Sequence, residues 1–323
     1  MILFVIFIHE NPTAEKNGEV VMWWHSVVVV AVPVFFTLSG YFFFQDVEKL
    51  TMEKYKEKIR RRVQSLLIPY LIWNCIPAVF FCAGNLYSII FRHKSSADMT
   101  DFLYGLWNDG LWHIWWDKTS GMMPFDSPLW YVRDLIILCI LSPVIYWLIQ
   151  KSGWLLVLIL GLLYFMQVSF PIGFSLTGLL FFSFGASFAL KGLNLNMLGK
   201  GKYIVYFLTI CLFALCNTFD MIILHPLFIM SSCYSWILLF HDIQGKATTH
   251  TARFSESVFF VLALHNIIVL ANVGKLLDKL FVGDFHYICY WIAPPITLFV
   301  CILLYYGTKK VSPQTIRVLC GGR

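Results

Sequence analysis

WHSVVVVAVPVFFTLSGYFFF (24–44), QDVEKLTMEKYKEKIRRRV (45–63) and QSLLIPY (64–70) form one continuous stretch, and its reading decides the fold. Its first part runs for about twenty residues without an Asp, Glu, Lys or Arg, enough for a helix to cross a bilayer. Its middle carries Lys49, Lys54, Lys56, Lys58, Arg60, Arg61 and Arg62. Cations beside a span resist translocation and mark the cytoplasmic side. Its last part enters a second apolar run. The pattern is therefore span, cytoplasmic basic connector, span.

Composition extends this reading to the whole chain. The 323 residues are 59% hydrophobic and only 13% charged, with a mean hydropathy of +0.73. These values exclude an ordinary soluble domain and point to an all-α, polytopic integral membrane protein. Aromatic residues at 18% suit broad interfacial belts. The net charge of +6 does not indicate nucleic acid, because the cations cluster in short loops between apolar runs. The nine cysteines show no CxxC pairing, so they read as small core residues with no metal site implied.

Further spans are expected at roughly 24–44, 63–91, 129–149, 153–171, 173–190, 203–220, 222–240, 256–273 and 287–307. Met1 to Ile8 is apolar but covers only ~12 Å of a ~30 Å hydrocarbon core. It reads as the end of a first helix truncated at its N-terminus, giving about ten transmembrane helices. With Met1 on the cytoplasmic side, most cations fall in inside loops, so both termini are expected to be cytoplasmic. The long outer segment from Arg92 to Pro128 holds Trp107, Trp112, Trp115 and Trp116. It reads either as an interfacial aromatic belt or as a lid over a sugar site, since indole stacks on pyranose rings.

Several polar residues interrupt the apolar runs. His9, in FVIFIHENP, is either a plain interfacial residue or a general base, because neutral imidazole can take a proton from a hydroxyl near neutral pH. Glu10 is adjacent, but neighbours on a helix diverge and it need not contact His9. Arg133 and Asp134 lie inside a span, either as a mutually neutralising pair or with Arg133 holding a phosphate or polarising a carbonyl. Arg61 and Arg62 either enforce topology or grip phosphates bidentately. Ser39-Gly40 allows close approach of a helix or of a ligand arm. His265, beside Asn266, must find a partner in its span.

The motifs resemble those of the membrane-bound acyltransferase-3 family, in that family's order. The first-helix His is followed by PVFFTLSGYFFF and by the basic segment running into LLIPYLIW. Then come PLWYVRDLIILCILSP, the Gly-Ala of FFSFGASFAL, and ESVFFVLALHNIIV. The final motif departs from the family's pattern, with Leu262-Ala263-Leu264 before His265 where a Tyr is usual. The resemblance implies a single membrane-embedded acyltransferase domain over 1–323, in a bacterial inner membrane. It implies transfer of an acyl group, acetyl above all, from acyl-CoA to a hydroxyl of a cell-surface glycan or lipid-linked sugar. His9 and Arg133 become catalytic candidates; Arg61, Arg62 and Ser39 become contacts to acetyl-CoA; His265, Trp130 and Glu10 become substrate contacts. The rival readings are a secondary transporter, which usually shows internal repeats not evident here, and a non-catalytic protein of the same fold.

Overall fold

The computed structural model describes residues 1–10, 14–91, 123–168, 174–197, 199–244, 254–281 and 286–322. The aromatic segment around Trp107 to Trp116 lies outside them. The described residues are helical, with no strand among them. In chain order the helices are α1 (Ile2–His9), α2 (Ala14–Val28), α3 (Ala31–Phe44), α4 (Met52–Arg62) and α5 (Ile68–Phe91). There follow α6 (Trp130–Ile140), α7 (Ser142–Ser152), α8 (Trp154–Phe165), α9 (Leu176–Leu190) and α10 (Lys202–Thr218). The last are α11 (His225–Gln244), α12 (Val258–Leu264), α13 (Leu270–Leu280), α14 (His286–Val311) and α15 (Pro313–Leu319).

Six helical stretches are long and apolar enough to cross a membrane: Gly18–Phe44, Met52–Phe80, Gly199–Thr218, Ile222–Ile243, Val258–Leu280 and Ile288–Val311. A seventh is α6 and α7 taken together, bent by 65° where they meet. The segment 129–149, read from sequence as one span, thus breaks at Ser142-Pro143. Proline near the start of α7 explains the break, since its ring cannot continue the preceding helix. Among the described residues this criterion gives six or seven spans, where the sequence leads us to expect about ten. The difference lies in α1, α8 and α9, with 8, 12 and 15 residues. At 1.5 Å per residue even α9 covers only ~22 Å.

Local sequence sets the helix ends. Thr51 caps α4 by accepting a hydrogen bond from the Lys54 N–H, and Ser175 caps α9 by accepting one from Gly178. Gly153, at φ +58°, turns the chain from α7 into α8. A π-helical turn, Val63–Leu67, joins α4 to α5, and a second, His265–Val269, joins α12 to α13. Such turns displace one residue from the helical register and recur at functional sites.

The tightest packing joins α3 to α9. In a bilayer, helices associate through van der Waals contact and small residues, because lipid tails already solvate apolar side chains. A Cβ on Gly40 would run into the Phe182 carbonyl, and one on Gly185 into the Thr37 carbonyl. Around that contact Phe36, Thr37, Phe43, Phe182, Ser183 and Ala186 are fully or almost fully buried. Elsewhere Tyr55 of α4 donates to the Ile140 carbonyl at 3.0 Å and so ties the basic helix to the end of α6. The Trp73 indole donates to the Leu319 carbonyl at 3.1 Å, holding α15 against α5.

Candidate active site

Between α1, α3, α6 and α12 the packing opens into a cavity of about 230 Å³. Ile2, Val5 and His9 recur at helical spacing and form one stripe of α1 along it, ~10 Å from end to end. Val32, Phe35 and Ser39 form the α3 wall; Trp130, Tyr131 and Leu135 the α6 wall; Val258, Phe259 and Leu262 the α12 wall. Arg62 and Leu66 close it beside the basic helix. One hollow therefore meets an imidazole and a guanidinium across walls that are mostly apolar.

Each sequence candidate has a definite place around it. His9, Ser39, Arg62 and Trp130 line the cavity. Ser39 and Gly40 diverge: the hydroxyl of Ser39 faces the hollow, whereas Gly40 packs against α9. Arg61 and Arg62 diverge in the same way. Arg61 is exposed and pairs with Glu57 one turn earlier, while Arg62 is half-buried with its guanidinium 5.9 Å from the Phe43 ring centroid. Glu10 lies beyond the end of α1 in extended backbone and does not line the cavity. Burial, and then the carboxylate of Asp278, push its carboxyl up to about 7.

Arg133 is buried and does not line the cavity. Its Nε and Nη2 both donate to Asp134 Oδ1, at 3.0 and 2.8 Å, and the Ser175 N–H donates to Asp134 Oδ2 at 3.1 Å. The pair therefore links α6 to the first turn of α9. Arg133 and Asp134 are thus in direct, buried ion-pair contact.

His265 stands behind His9, outside the cavity wall. The two rings are 5.1 Å apart between centroids and tilted by 56°. His265 is fully buried; its Nδ1 donates to the Val261 carbonyl at 3.0 Å, and its Nε2 has no partner.

Two participants were missed from sequence. Tyr131 hydrogen-bonds Ser39 through its hydroxyl at 3.1 Å, tying α6 to α3 across the cavity wall. Nothing in WYVRD distinguishes this tyrosine from an ordinary interfacial one. Asp126, just before α6, is fully buried and neither carboxylate oxygen has a partner. Burial pushes that carboxyl well above the usual range. Its own N–H donates to Asn74 Oδ1 at 3.0 Å.

Comparison with known proteins bears on what this cavity does. The acyltransferase-3 family model, described as an acyltransferase domain, matches residues 1–307. The succinoglycan biosynthesis protein ExoH of Rhizobium meliloti (strain 1021) is 24% identical over 179 residues. That match covers 54% of this chain and 45% of ExoH, so it spans less than half of the relative. No solved structure matches the chain.

Proposed function

Because this chain belongs to the acyltransferase-3 family and is an integral membrane protein, we propose that it transfers an acetyl group from acetyl-CoA to a hydroxyl of a cell-surface glycan or its lipid-linked precursor. The observation that carries this reading is that one cavity has both His9 and Arg62 on its wall. Donor and base would otherwise have no common space.

Arg62 would hold a phosphate of coenzyme A, with the basic face of α4 attracting the rest of the anion. Arg61 joins only by releasing Glu57. The cavity is smaller than a pocket for a whole drug-sized ligand, so it takes the pantetheine end and the thioester while the nucleotide stays outside. The arm would pass the Ser39–Tyr131 hydroxyl pair, which offers polar contact to its amides. His9 then takes the proton of the acceptor hydroxyl as its oxygen attacks the thioester carbonyl. The C–S bond breaks, and the proton passes from His9 to the departing sulfur.

Among the described lining residues Arg62 is the one Lys or Arg, so a succinyl carboxylate beside His9 would meet mostly apolar walls. That favours acetyl over a charged acyl group. The glycan acceptor follows from the relative's part in succinoglycan biosynthesis. The cationic α4 favours a cytoplasmic donor side in a bacterial inner membrane.

The test uses purified protein in lipid with radiolabelled acetyl-CoA and an envelope glycan fraction, wild type beside His9→Ala. Label transfer that disappears in the variant supports the reading. Transfer that persists moves the base elsewhere. Absence of both coenzyme A binding and thioester cleavage in folded wild type would bring a transporter forward.

A further inference from the structure

The histidine pair places a second residue in the chemistry. His265 Nδ1 lies 3.0 Å from the Val261 carbonyl oxygen, and a carbonyl only accepts. The neutral imidazole of His265 must therefore carry its proton on Nδ1 and leave Nε2 as a bare acceptor. That lone pair is fully buried and has no partner. A buried acceptor left unmade is costly, so its persistence calls for a donor that arrives in some state of the protein. The ring of His9 is 5.1 Å away between centroids, within reach of a shared hydrogen bond after a small rotation.

The nearest carboxylate in sequence does not take this role. Glu10 leaves the helix in extended backbone at φ −82°, ψ 105°, and the charge acting on it is that of Asp278. The π-helical turn begins at His265 itself, displacing this residue from the register that α12 would otherwise continue. The placement thus depends on a backbone irregularity located at the polar residue.

We propose that His265 is a positioning residue: its Nε2 accepts the N–H of His9, so that the other nitrogen of His9 presents its lone pair to the cavity. This rests on the acyltransferase reading and deepens it. When His9 takes the proton of the acceptor hydroxyl, the resulting imidazolium keeps its hydrogen bond to His265, which orients it and disperses its charge. The proton itself stays on His9 until the thiolate collects it. His265 neither gains nor loses a proton over the cycle.

Three variants and one spectrum test the pair. His265→Leu removes the acceptor at similar volume, whereas His265→Gln can place an amide oxygen near the position of Nε2. The expected result is a fall of about a hundredfold in kcat for His265→Leu, with KM for acetyl-CoA unchanged, and recovery of most of that loss in His265→Gln. Equal loss in both, or full activity in His265→Leu, overturns the proposal. Independently of turnover, ¹⁵N spectra of histidine-labelled protein in lipid should show an unprotonated His265 Nε2 whose resonance moves in His9→Ala. A resonance that does not move overturns the pair. If the wild type transfers no acyl group, the functional reading fails and the spectrum alone decides whether the pair exists.

Discussion

Helix α3 divides the molecule into two unlike regions. On one face Gly40 and Thr37 lie so close to α9 that no Cβ fits between them, and neighbouring α6 is tied to α9 through Asp134 and Ser175. On the other face Val32, Phe35 and Ser39 look into a hollow. Two residues adjacent in sequence, Ser39 and Gly40, belong to opposite regions. The difference teaches that close packing and open space sit on opposite faces of one helix, the seam for rigidity and the cavity for the chemistry we propose. A substitution should therefore damage either folding or turnover, according to the face it touches.

The sharpest break is expected at the buried ion pair. Arg133→Met strands Asp134 in the seam and should cost about 3–5 kcal/mol, read as loss of folded protein on size-exclusion chromatography. Arg133→Met with Asp134→Leu should recover most of that stability. A double variant that folds but transfers nothing would instead return Arg133 to the chemistry. Next, Gly185→Val drives a side chain into the Thr37 carbonyl and should cost about 3 kcal/mol with kcat preserved in whatever protein folds. A fold that survives intact would show that the seam yields.

On the cavity side the effects move to kinetics. Arg62→Ala should weaken acetyl-CoA by about 2 kcal/mol, roughly thirtyfold in KM, with the melting temperature unchanged. An equal loss for Arg61→Ala would contradict the separation of the two arginines. Ser39→Ala should cost about 1 kcal/mol, since Tyr131 loses one hydroxyl partner. A last effect is one of pH. The Glu10 carboxyl binds its proton more tightly in the folded protein, at about 7 against 4.5, so stability falls as pH rises through that window and levels above it. Glu10→Gln should remove that fall, checked by melting curves between about pH 5 and pH 8; parallel curves for the two proteins would count against it.

Much of this was legible in the chain. The apolar runs located the helices, and the basic segment 45–63 located α4 and Arg62. His9 and Trp130 were marked by motif and do line the cavity. What sequence left open is directional. The step from Arg61 to Arg62, or from Ser39 to Gly40, turns a side chain by about 100°, and its destination depends on where the neighbouring helix lies. The role of Arg133 was ambiguous because an ion pair and a substrate-binding arginine share the same residues; the geometry adds its direct contact with Asp134 and, through it, with Ser175. The bend at Ser142-Pro143 had a signal, overridden by continuous hydrophobicity. The π-helical turn at His265 has no sequence signature, since it is a hydrogen-bond register.

The brevity of α8 has a consequence for the lipid around the protein. Its 12 residues span ~18 Å, and Leu155, Leu158 and Leu162 are exposed along it. Acyl chains of a bilayer ~30 Å thick must compress beside that flank, as they do next to any undersized hydrophobic surface. A thinned annulus there would shorten the distance between the two aqueous compartments, and lipids with shorter tails should suit the protein better on reconstitution.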